Sequence, residues 1–106
     1  DHTWLVGSVK NKEGLSHAAT LRDPGSGRML EIHTDQPGIQ FYSGNYLDGS
    51  ITGHGGKPYP FRSGLCLETQ VFPDSPNRQG QDGWQSCVLR SGELYTHKTV
   101  HRFYAQ

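Results

Sequence analysis

Two alternating runs flank a five-residue turn, and this arrangement limits the chain to β architecture more than any other feature. Leu15, His17, Ala19 and Leu21 alternate with polar or small neighbours, as on a strand with one buried face. Asp23-Pro24-Gly25-Ser26-Gly27 follows, with proline fixing φ and two glycines permitting positive φ. Met29 to Thr34 then returns as the second arm of a hairpin. The same grammar predicts strands over Trp4–Val9, Ile39–Tyr42 and Gly64–Gln70, with a β-rich close from Tyr95 to Tyr104. Irregular segments fall at Lys10–Gly14, at 48–64, where glycine and proline cluster, and at Pro73–Gly83. No segment sustains a helical period and no repeat is present. Many short strands joined by Gly/Pro turns predict an all-β, antiparallel sandwich.

The run Gly64-Leu65-Cys66-Leu67-Glu68-Thr69-Gln70 carries the chemistry. Period-two geometry places Leu65, Leu67, Thr69 and Val71 on one side and Cys66, Glu68 and Gln70 on the other. A carboxylate buried between apolar rows needs partners, or has its raised pKa put to use, so Glu68 is the first candidate for acid–base work. The plainer reading of the same pattern is a solvent-facing glutamate on a half-buried strand. Cys66, on that strand, reads as a small buried thiol.

Four stretches resemble one family. Gly64 to Gln70 with Phe72-Pro73-Asp74-Ser75-Pro76-Asn77 is similar to the C-terminal signature of the aldose 1-epimerases, or galactose mutarotases. Asp1-His2-Thr3-Trp4 resembles the family's Asp-His-aromatic strand. Gln36-Pro37-Gly38-Ile39-Gln40-Phe41-Tyr42-Ser43-Gly44-Asn45 resembles its Gln-Pro-Gly-x-Gln-Phe-Tyr-x-Gly-Asn block. Leu89-Arg90-Ser91-Gly92-Glu93 with Tyr95, and His101-Arg102-Phe103, are similar to its last two strands.

The resemblance implies a galactose mutarotase-like supersandwich, with residues 1–106 as the C-terminal part of a single, much longer epimerase domain. It implies exchange of the α and β anomers of free aldohexoses such as galactose and glucose, with no metal, nucleotide or other cofactor. Glu68 matches the general base, Asp1 a carboxylate that holds sugar hydroxyls, and Gln40 a glutamine of the pocket. The family's acid histidine, a second histidine and an arginine belong to motifs that precede this region. None of those motifs occurs here, so the missing N-terminal part is the expected partner. Without the resemblance, Gln40 is a cross-strand hydrogen-bonding residue and Asp1 a frayed terminus.

Other readings are narrower. A non-catalytic sugar-binding or sensing module would keep the fold without the chemistry. A phosphohexose epimerase would need converging basic residues, and only Arg62 and Arg78 lie in the loops. His97 and His101 would stand about 13 Å apart along one strand, too far for one metal ion. Trp84 sits in a polar loop and receives no role.

Composition sets outer bounds. At 106 residues the chain is one small domain at most, and its 32% hydrophobic content is low for a chain building its own core. Such a piece of a larger sandwich is expected to expose strand edges and apolar faces. Ten basic and ten acidic residues cancel, which argues against nucleic acid or an anionic membrane as partner. No apolar run reaches membrane-spanning length. Two cysteines make no disulfide framework, and reduced thiols in a cytoplasmic setting are expected.

Overall fold

A computed structural model describes all 106 residues. Six strands follow in chain order: β1 (His2–Leu5), β2 (Ser16–Arg22), β3 (Arg28–Thr34), β4 (Gly38–Tyr42), β5 (Cys66–Gln70) and β6 (Thr99–Ala105). They form two antiparallel three-stranded sheets, the first in order β1-β4-β5 and the second β2-β3-β6. Short 3-10 turns at His54–Gly56 and Ser75–Arg78 interrupt the two long connections. The all-β, antiparallel expectation therefore holds.

The β2–β3 hairpin forms where the turn residues place it. Asp23 accepts the amides of Gly25 and Ser26, at 3.2 and 3.1 Å, and Gly27 adopts φ +70°. Alternation along β2 nevertheless fails at one point. His17 faces His33 while Ala19 faces Ile32, so Ala18 is the extra residue of a β-bulge. The bulge turns His17 to the face opposite Ala19 and Leu21, which the sequence pattern had put on one side.

Three other strand expectations change. β1 stops at Leu5 rather than Val9: the Val6 amide reaches the Pro37 carbonyl at 2.9 Å, but proline has no amide to return. No strand forms near Leu89–Glu93. A turn closes there through the Glu93 amide on the Arg90 carbonyl at 3.0 Å, and the flanking Leu89 and Leu94 stay exposed without a partner strand. The final strand begins at Thr99 rather than Tyr95, because Asp35 captures His97 and the Lys98 amide instead. His97 and His101 thus do not share a strand.

Leu15, Ile32 and Ile39 are the only large apolar side chains fully buried. An open groove of about 470 Å³ separates the sheets, lined by Trp4, Ile39, Phe41 and Leu67 on one side and Ala19 and Leu21 on the other. The radius of gyration is 16.9 Å, above the roughly 13 Å of a compact domain of this length. The expected exposure of apolar faces is present.

Candidate active site

The first sheet brings the three candidate residues onto one surface. Thr3 pairs with Gln40, and Gln40 pairs with Glu68, so these side chains form a row across β1, β4 and β5. Directly opposed residues have Cβ atoms about 5 Å apart. The same alternation puts Asp1 beside Thr3 on this face, with Gly38, Tyr42, Cys66 and Gln70. Leu67 and Thr69 point to the opposite face, as the spacing required.

Gln40 is held from both sides. The Thr3 hydroxyl donates to its Oε1, and its Nε2 donates to Asp1 Oδ2 at 3.2 Å. These two bonds orient the amide, with oxygen toward Thr3 and nitrogen toward the carboxylate. Thr3 is the residue that sequence reasoning missed. Its signal was present, since a residue two beyond Asp1 on a strand must share its face.

Glu68 is exposed, and no hydrogen bond or ion pair engages its carboxylate. This corrects the expectation of a buried charge between apolar rows, because the Glu68 face of this sheet is open. Cys66 is likewise exposed rather than buried. A carboxylate with no partner retains its lone pairs for an incoming hydroxyl.

Aromatic side chains flank the row on either side along the strand direction. Tyr42 stacks on Tyr46 with ring centroids 6.2 Å apart, beside Cys66. On the other side, next to Gly38, Trp84 meets Phe72 edge-to-face at 5.4 Å. Both line an open cleft of about 390 Å³ that also includes Thr3 and Leu5. Trp84 thus adjoins the candidate row, a placement its loop sequence did not reveal. Arg78 is occupied by Asp74 at 2.9 Å and lies over the Trp84 ring. Arg62 rests on Phe61.

No histidine forms a hydrogen bond or ring contact with Asp1, Gln40 or Glu68. His17 and His33 meet each other across the β2–β3 ladder at 5.2 Å, and His97 is bound to Asp35. The arrangement provides one free carboxylate and a fixed polar pair on an open surface, suited to binding hydroxyl groups and accepting a proton from one of them.

Comparisons with known proteins identify the family. The aldose 1-epimerase family model matches residues 1–102, and the chain belongs to that family. The galactose mutarotase of Mus musculus is 47% identical over 103 residues, covering 97% of this chain. The Homo sapiens galactose mutarotase is 44% identical over the same length. The aldose 1-epimerase of Escherichia coli (strain K12) is 36% identical over 109 residues and covers 89% of the chain. The chain spans 28% of the mouse and human relatives and 30% of the bacterial one.

Proposed function

We propose that these residues form the C-terminal part of an aldose 1-epimerase domain acting on free aldohexoses such as galactose and glucose. Glu68 is the general base, and Asp1 and Gln40 hold sugar hydroxyls. The row in which Gln40 lies directly between Thr3 and the unpartnered Glu68 carries this reading. Exchange of anomers requires the ring to open, with a proton leaving the C1 hydroxyl as another reaches the ring oxygen. Rotation about C1–C2 presents the other carbonyl face, and closure reverses both transfers. Glu68 takes the C1 proton and returns it; its exposed, unbonded carboxylate leaves room for the hydroxyl. The acid is a histidine from the remainder of the domain, which is this chain's proposed partner. Two free thiols are compatible with a reducing, cytoplasmic setting.

The test is Glu68→Gln in the full-length protein, followed by polarimetry of freshly dissolved α-D-galactose. Loss of general-base catalysis lowers kcat by about 10²- to 10⁴-fold, while galactose binding persists. Undiminished mutarotation in that variant removes Glu68 from the role. Sugar binding with no catalysis in the native protein supports a binding module instead.

A further inference from the structure

A single hydrogen bond joins a strand of the first sheet to a strand of the second. It links the hydroxyls of Thr69 on β5 and Thr99 on β6, 2.8 Å apart. Thr99 Oγ1 also lies 3.0 Å from Thr34 Oγ1 and 3.1 Å from Nε2 of His97. Nδ1 of that ring lies 2.8 Å from Asp35 Oδ1, and Asp35 Oδ2 accepts the Lys98 amide at 2.9 Å. Thr34 is completely buried. A continuous chain of polar contacts therefore runs from Asp35 to the residue that follows Glu68.

The protons in this chain can be placed. Burial, the largest influence on Asp35, opposes its charge, but hydrogen bonds from His97, the Lys98 amide and Gln36, with the His97 charge, hold its carboxyl below the ordinary range. An ionised carboxylate only accepts, so Nδ1 of His97 carries a proton toward it. With a neutral ring, Nε2 accepts the Thr99 hydroxyl, and the two Thr99 lone pairs take the protons of Thr34 and Thr69. Every hydroxyl is then satisfied.

An imidazolium disturbs this arrangement. Its Nε2 donates, so Thr99 must accept from it and direct its own proton elsewhere. Given to Thr69, that proton reverses the Thr69–Thr99 bond and turns the Thr69 hydrogen out to the cleft that this residue lines. Given to Thr34, it turns the Thr34 hydroxyl onto the Lys98 carbonyl at 3.5 Å, a poor bond.

We propose that Asp35, His97 and Thr99 form a proton-sensitive clasp that sets the placement of β5. His97 and Thr99 are positioning residues for Glu68, a last link that rests on the base reading above. Protonation of the ring reverses the bonds that Thr99 makes, and with them the bond that holds β5. The charged groups around His97 are Asp35 and, through the neighbouring Lys98, the Lys98–Glu13 ion pair at 2.9 Å. Tyr95 and Asp35 line the cleft of about 530 Å³ alongside.

The experiment is NMR on the full-length protein with labelled amides and imidazoles, titrated across the histidine range and paired with mutarotation rates. The Glu68 and Thr69 amide signals are expected to shift with the same midpoint as the His97 ring. In Thr99→Val they lose that midpoint, and in Thr99→Ser they regain it. Mutarotation by Thr99→Val falls about three- to tenfold in kcat with little change in KM, and the pH dependence due to His97 disappears. Should Thr99→Val not fold, His97→Gln removes the titration and must leave the β5 signals flat. Amides of β5 that ignore the His97 ring in the native protein, or follow it equally in Thr99→Val, overturn the clasp. Coupled signals without any catalysed mutarotation support the clasp and remove the base role of Glu68.

Discussion

Gln40 illustrates how much depends on single contacts. Its amide has two N–H groups and a carbonyl oxygen with two lone pairs. One N–H is committed to Asp1 and one lone pair to Thr3. Thr3→Val removes one of the two bonds that orient this amide, leaving the Asp1 contact alone to hold it. The expected outcome is a rise in KM for galactose of about three- to tenfold, with kcat affected less, read from initial polarimetric rates. Gly38 is constrained differently. A Cβ there would lie 2.9 Å from the Phe72 ring and 3.0 Å from the Thr3 methyl. Gly38→Ala is expected to destabilise by about 1–3 kcal/mol, measured by urea denaturation. Because the displaced groups border the candidate row, sugar affinity should fall with it. Both constraints depend on residues more than thirty positions apart. Only the alternation that set Cys66, Glu68 and Gln70 on one face was legible locally; Asp1 and Gln40 were named by the family's motifs.

Among the elements, those with self-contained signals were read from sequence and those needing a distant partner were not. The β2–β3 hairpin announced itself through Asp23, Pro24 and Gly27, because turn chemistry acts within a few residues. The bulge at Ala18 did not, since it is defined by the opposing strand. Leu89 to Tyr95 has strand composition, yet it lacks a ladder and stays irregular. Likewise, the retreat of β6 to Thr99 follows from a carboxylate 62 residues away. That carboxylate has a consequence for stability. Asp35 titrates below its ordinary value of 3.8 when folded. A depressed carboxyl contributes stability that is complete above its unfolded pKa and is lost as pH falls through the folded one. Thermal unfolding between pH 2 and pH 6 should therefore show a loss below about pH 4 that Asp35→Asn reduces. A native profile identical to that of the variant would count against the hydrogen bonds that His97, the Lys98 amide and Gln36 make to Asp35.

At the scale of the whole molecule, little apolar surface is enclosed. Trp4, Leu5, Phe61, Leu94, Tyr95 and Phe103 are each more than half exposed. Extended apolar surface of this kind favours association. In isolation, the 106 residues are expected to self-associate and unfold with low cooperativity, whereas the full-length protein should unfold sharply. Sedimentation with parallel denaturation distinguishes these outcomes, and a monomeric, sharply unfolding chain would contradict them. The family was legible from the motifs, because the matched blocks are long and ordered. How the two sheets meet was not, since that depends on side chains brought together only by folding. Their sparse junction has a practical consequence for recombination. Residues 16–34 and 99–105 build the second sheet without contributing to the row of Thr3, Gln40 and Glu68. A homologous segment from a relative could therefore be grafted there as a cassette, provided that Ala19, Leu21 and Thr99 come with it.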